Sequence, residues 1–429
     1  MKKILAIVLA MAMIFCLVAC GSTEDGEKAS SGAKDSYVAY VIAEKGDTYS
    51  LGLASSFQTA FEALGGTVVM ETFPANTTNF SDYIQRALDK NADVIFCPNS
   101  TTVAANFIKN AQDLGVECPI MAGDTWESSV ILDAAKDADF DVYCSTFFDE
   151  SDNTSTAAKD FVSGFKAWLN ANADKKSMNG GNDIVAAVSA LGFDAYNVAV
   201  AAIEAAAETK GEDLTSVDIA KALWTLKYDN AVTGTIQFNE TGDAIKDSAY
   251  IKKANGDSFQ FVKVQTVKNE TSPATSSLDY TETGVALDKA SKKIVIGIYE
   301  PTSGANGAGG KQEVLGIQYA NSLNNKVTIG GNEYTIEVYL SDNGSEEANA
   351  ASAASAIINK GALVSLGSYG SGVSIAAADT FAAAAVPAIG ISCTNASVTD
   401  GHDYYFRTCF LDPFQGGVMA NFAWETISK

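Results

Sequence analysis

The chain carries a single histidine, His402, and seven cysteines with no C-x-x-C pair and no cysteine–histidine spacing that suits zinc. A histidine-based triad has only that one residue to draw on, and no nucleophile elbow is present. The glycine-rich turn at residues 303–310, followed by Lys311, makes a poor phosphate loop. Ala305 stands where its first glycine belongs, and Gln312 follows Lys311 in place of Ser or Thr. The expectation is a protein that is not an enzyme and that uses no cofactor and no metal. What the residues can do is bind. Ser371 opens a helical pattern just after the apolar run that ends at Leu366-Gly367. Its hydroxyl and the amides of Ser371 to Val373 form a ready carboxylate site, a plain N-cap being the other reading. Asp124, in the segment Met121-Ala-Gly-Asp-Thr-Trp126, likewise follows a short apolar run.

The elements that place these residues alternate strand and helix. Strands are expected at 37–43, 67–73, 93–97, 118–122 and 141–147, with helices at 48–64, 80–88, 101–114 and 128–135 between them. Three helices follow, at 156–170, 189–207 and 215–226, and then short strands at 233–238, 248–253 and 258–264. Residues 265–292 have little periodicity and read as a linker. A second strand–helix series then begins at residues 294–298, more than halfway along. It continues with a helix at 311–323, a hairpin at 327–340, and helices at 346–360, 371–381 and 414–428 around strands at 362–366, 386–391 and 404–408. This pattern gives α/β sheets, mainly parallel and covered by helices on both faces. The length of 429 residues suits two domains. The formal charge of −23 and the lack of a basic stripe exclude nucleic acid as a partner.

At the N-terminus, a basic start and an apolar run too short to span a bilayer end in Leu17-Val18-Ala19-Cys20-Gly21. This resembles a bacterial lipobox. It implies a signal peptide at 1–19, a lipid on Cys20 and a membrane anchor on the outer face, with a polar tether at 20–36. The five remaining cysteines are expected as buried free thiols.

The order of the pieces carries a wider resemblance. Residues 293–429 contain IGIYEPTSG, SDNGSEEA, LGSYGSGVSIAAA, SCTNASVTDG and YFRTCFLDPFQG. They resemble the first part of the leucine/isoleucine/valine-type substrate-binding proteins of bacterial ABC transporters. Residues 37–266 contain EKGDTYSLG, ALGGTVV, NFSDYIQRAL, ADVIFCPN, PIMAGDTW, LGFDAYN and VTGTIQFNETGD, and resemble the remainder. The two parts stand in exchanged order, as in a circular permutation; pairing of truncated halves between chains is the alternative. The resemblance implies a two-lobed periplasmic-binding-protein type I fold. One lobe would hold residues 293–411 and 147–246. The other would hold 37–146, 247–266 and 412–429. Residues 267–292 would be the permutation linker, with a three-crossing hinge near Phe147, Asp247 and Asp412.

The resemblance also implies a function: a monomeric, lipid-anchored protein that binds a small amino acid of branched-chain type in the cleft and delivers it to the transmembrane subunits of an ABC permease. A ligand-sensing role, or a ligand that is not an amino acid, is compatible with the same fold. Site residues carry over one by one. Ser371 would hold the ligand carboxylate through its hydroxyl. Ser392 and Thr394 would offer a carbonyl and a hydroxyl, and Asp124 would take the ammonium. Tyr49 and Ser100 would be cleft positions. Ser100 and Gly309 replace tyrosines of the leucine-type proteins, which implies a larger or more polar pocket. Tyr369 and Trp126 are either further walls of the cleft or packing residues.

Overall fold

The computed structural model describes residues 36–151, 155–267 and 271–429, and residues 36–429 form one compact unit. The expected signal segment, Cys20 and the tether up to residue 35 lie outside the described residues. Two large sheets carry the fold. The first runs in the order Thr67–Phe73, Val38–Glu44, Val94–Phe96, Ile120–Ala122, Val142–Thr146, Ser248–Asn255, Ser258–Thr266. Its first five strands are parallel and the last two form an antiparallel edge. The second runs in the order Lys326–Ile329, Asn332–Asp342, Lys293–Glu300, Ala362–Leu366, Ala388–Gly390, Tyr405–Arg407. It is parallel except for its edge hairpin, which turns at Gly330-Gly331. Both glycines have positive φ there, a region that costs them nothing. The central strands are wholly buried and almost wholly apolar, as strands covered on both faces must be.

In each sheet the strand order reverses beside one strand. Val38–Glu44 lies between Thr67–Phe73 and Val94–Phe96, and Lys293–Glu300 lies between Asn332–Asp342 and Ala362–Leu366. Connections diverge at such a point and leave a crevice beyond the carboxyl ends of the strands.

Helix packing fixes the rest. Asp412–Ile427 lies along Thr48–Ala63, and Trp424 meets Tyr37 edge-on at 5.1 Å between ring centres. Ala187–Lys210 lies along Gly307–Leu323. A side chain at Gly192 or Gly316 would strike the backbone of the facing helix, so glycine sets this close approach. Ala187–Lys210 is apolar enough to cross a bilayer, but 67% of that apolar window is buried inside the fold.

Several elements differ from the sequence reading. The strand expected at 233–238 is only Ile236–Gln237, paired with Lys227–Tyr228, for which the pattern gave no sign. A short helix, Ala173–Met178, also went unseen. The last helix begins at Asp412, with a proline in its first turn, where the missing amide costs nothing. The main difference concerns the expected linker. Ala274 and Leu287 are buried, and their amides bond to the carbonyls of Phe238 and Leu214. Val285 exchanges two bonds with Ser216, and the Tyr280 hydroxyl receives Trp224 Nε1 at 2.8 Å. This segment is a docked strap; its polar composition hid two apolar anchors spaced along a non-periodic run.

Because Tyr37 packs on Trp424, the described N-terminus and the last helix are neighbours. A chain rejoined from Lys429 to Ser36 by a few residues, and opened at exposed residues 275–277, is expected to fold to the same two sheets. Circular dichroism and denaturant melts would check this. A rejoined chain without a cooperative transition would contradict the view that strand order along the chain is free to vary here.

Candidate functional site

Each residue that lines the cavity between the sheets follows the carboxyl end of a strand. From the first sheet come Asp47, Tyr49, Ser100 and Thr125; from the second come Asn306, Ser345, Glu347, Tyr369 to Val373, and Ser392. The volume is about 60 Å³. Hydrogen bonds cross directly from one set of loops to the other, among them Asn395 Nδ2 to the Thr48 carbonyl at 3.0 Å and Thr102 Oγ1 to the Ala305 carbonyl at 3.3 Å.

Ser371 is the first residue of the helix Ser371–Ala383, and its hydroxyl does not cap that helix. Its Oγ instead accepts the Asn395 amide at 3.2 Å, which ties the loop after Ala388–Gly390 to the helix start. The Gly370 carbonyl takes the amide of Ser374. The amides of Ser371, Gly372 and Val373 precede that bond and face the cavity wall without intrahelical partners. Thr394 is wholly buried, and its side chain lies beside the Asp412 carboxyl. Its loop is held by Arg407, also wholly buried, which bonds to the carbonyls of Cys393 and Asn395 and pairs with Asp243 at 2.5 Å.

Asp124 sits one layer behind Tyr49 and Thr125. Its Oδ1 accepts from the Tyr49 hydroxyl at 3.2 Å and from Gln415 Nε2 at 2.9 Å. Its Oδ2 is buried and has no partner. Burial pushes this carboxyl up to about 6, against the pull of the Gln415 and Tyr49 hydrogen bonds. Asp412, one turn before Gln415, is pushed up to about 7, again chiefly by burial, against the pull of hydrogen bonding to Thr394 and Asn395. Behind the opposite wall lie Glu300 and Glu313. Glu300 accepts the Tyr369 amide at 2.8 Å, and Glu313 accepts from the Ser392 hydroxyl. Burial and mutual repulsion raise Glu300 well above the usual carboxylate range, and burial pushes Glu313 up to about 8. The pair therefore holds at least one proton at neutral pH.

The structure brings Tyr49, Ser100, Tyr369, Ser371 and Ser392 onto one cavity, with Asp124 and Thr394 just behind it. Trp126 is not there. It is fully buried in the apolar cluster around Ile95, Ile131 and Phe140, so it packs the core. The larger pocket implied by Gly309 does not form either. The Tyr369 ring lies against Gly309 and occupies the space that a side chain there would take. Sequence reasoning missed Asp47, Asn306, Ser345 and Glu347 on the wall, and Gln415, Asp412, Glu300 and Glu313 behind it. A signal existed for some of them: Asp412 and Gln415 share one helix face at i, i+3, and Glu300 follows the apolar run Ile294 to Tyr299 at the end of its strand. A second cavity, about 310 Å³, lies elsewhere, lined by Phe147, Leu191, Lys246, Tyr250 and Phe410 among others. None of the site residues expected from the sequence lines it.

A model of the periplasmic binding protein family matches residues 29–258 and 293–428. Similar solved structures include a leucine-binding protein of Thermotoga maritima, 26% identical, with 53% of this chain and 60% of that chain covered and a TM-score of 0.45. A branched-chain amino acid transporter substrate-binding protein of Streptococcus pneumoniae, solved with isoleucine, is 21% identical over 54% and 60%, with a TM-score of 0.43. A glucose–galactose-binding protein of Geobacillus stearothermophilus is 12% identical over 92% of each chain, with a TM-score of 0.42. The match spans 60% of the length of the first two. No curated protein matches the sequence.

Proposed function

The chain belongs to the periplasmic binding protein family, and from that premise we propose that it is a substrate-binding protein of an ABC importer. In this reading it takes a small α-amino acid into the cleft and delivers it to the transmembrane permease subunits. One observation supports the reading above the others: Asp124, buried with one oxygen unpartnered, lies just behind the Tyr49 and Thr125 wall of the cavity, whose other wall carries the open helix start at Ser371. An α-amino acid presents a carboxylate and an ammonium a few ångströms apart. The helix-start amides suit the carboxylate, and Thr394 offers a further hydroxyl. The ammonium, once out of water, needs a negative charge close by, and Asp124 supplies it. Each sheet's loops contribute only half of these contacts, so the ligand favours the closed arrangement of the lobes.

The two-block family match, broken at the docked strap, supports reading the chain as a circular permutation; the rejoined chain described above tests it. The lipobox-like N-terminus supports an anchor at Cys20 on the outer face of the membrane. Cys20→Ser is expected to move the protein out of the membrane fraction or to block its processing. A variant that stays lipidated would overturn the anchor.

The test of the function is calorimetry on two variants against the amino acid that a thermal-shift screen identifies. Asp124→Asn keeps the shape and removes the charge, which is expected to cost about 2–5 kcal/mol, or roughly 30- to 5,000-fold in affinity. Ser371→Ala is expected to cost less, because the amides remain. Binding by Asp124→Asn within about threefold of the parent would overturn the α-amino-acid reading and favour a ligand without an ammonium group.

A further inference from the structure

We infer that the amino acid taken by this cleft carries a second cationic group on its side chain, an ammonium or a guanidinium. The inference rests on the reading of the cleft as an amino-acid site and adds the class of side chain. Three independent features point to it.

The first is the wall itself. Val373 is the one aliphatic residue among those lining the cavity; the others are tyrosines, hydroxyl and amide residues, glycines and carboxylates. A branched aliphatic side chain gains free energy when apolar surface receives it. Here it would cover hydroxyls and carboxylates and take their water without replacing the hydrogen bonds, which costs free energy.

The second is charge. Asp47 follows a strand of the first sheet and Glu347 follows a strand of the second, and both line the cavity, as no lysine, arginine or histidine does. Asp47 gives one oxygen, Oδ1, to the Ser50 amide at 2.6 Å. Glu347 lies over Gly372, at the helix start, and makes no hydrogen bond or ion pair among the described residues. Closing the cleft therefore brings two carboxylates of like charge to one mouth, an arrangement that a cation between them relieves.

The third is the balance of donors and acceptors. The buried side-chain atoms without partners in and behind the cavity include Asp124 Oδ2, Asn306 Oδ1, Gln415 Oε1 and Ser100 Oγ. Three of these are acceptors only, with Asp124 ionised, and the Ser100 hydroxyl can accept. A ligand satisfies them only by bringing donors, and an ammonium brings three and a guanidinium five. The α-ammonium uses Asp124, and the side-chain cation goes to Asp47 and Glu347.

The test compares arginine with citrulline, which has nearly the same shape and no side-chain charge. The full-length protein in mild detergent, stripped of ligand by unfolding and refolding, is titrated by calorimetry with L-arginine, L-lysine, L-citrulline, L-leucine and L-isoleucine. Arginine or lysine is expected to bind roughly tenfold or more tightly than citrulline and leucine. Glu347→Gln is expected to cost about two- to fivefold more with the cationic amino acid than with citrulline, as for a partly exposed charge. Leucine or isoleucine binding most tightly, or arginine and citrulline binding equally, would overturn the cationic side chain and leave the amino-acid site standing. Binding of none of the five would overturn both.

Discussion

Asp124 is almost wholly buried, with one carboxylate oxygen held by Tyr49 and Gln415 and the other held by nothing. An ionised carboxylate in that position is expensive, and the protein pays part of the cost by holding its proton affinity near neutrality. The partners it does have come from far apart in the chain. Tyr49 lies in the first described helix and Gln415 in the last, and those two helices pack side by side under the first sheet. The arrangement of Asp124 therefore depends on the order of the first sheet and on the close packing of the first and last described helices.

Other buried charges in the molecule are treated differently. Lys252 is buried between Glu127, at 2.5 Å, and Asp149, at 3.1 Å, and the second Glu127 oxygen accepts the Ala187 amide at the start of the long core helix. Arg407 is paired with Asp243 and saturated by loop carbonyls. These groups hold crossings and loops in place, and they leave no charge for a ligand to meet. Around the cleft the acids are instead left short of donors: Asp124 on one side, the proton-sharing Glu300 and Glu313 on the other. A ligand with donors supplies what the fold withholds, and it does so only when both sets of loops are close to it.

Much of the α/β organisation was legible because it rests on local pattern. Thr67–Phe73 and Ala362–Leu366 are short apolar runs bounded by glycine and polar residues, and they form strands at those limits. Ser371 could be read as a cleft residue because it opens a helix just past a strand end, whereas Tyr49 and Ser100 were placed there by the family resemblance alone. What the pattern missed depends on distant contacts. The strap from residues 273 to 287 has no period, and only the grooves beside Phe238 and Leu214 make it docked structure. Trp126 sits two residues past Asp124 yet turns into the core, since a 3-10 turn points successive side chains to different sides. Gly309 marks absent bulk in its own segment, but Tyr369, sixty residues on, refills that space. Glu347 is exposed on an alanine-rich helix and becomes a wall of the cleft only when Asp47 stands opposite.

The most direct measurement is the number of protons released when the ligand binds. Calorimetric titrations with the tightest-binding amino acid at pH 6, in buffers of different ionisation enthalpy, give this number from the slope of the apparent heat. With Asp124 pushed up to about 6 and Asp412 to about 7 in the free protein, both are partly protonated at that pH. An ammonium placed against Asp124 forces it to ionise, so the account predicts release of about half a proton or more per ligand, fading as the pH is raised above 8. No release, or uptake of protons, would contradict it, because the ligand's cation would then not be meeting these carboxylates.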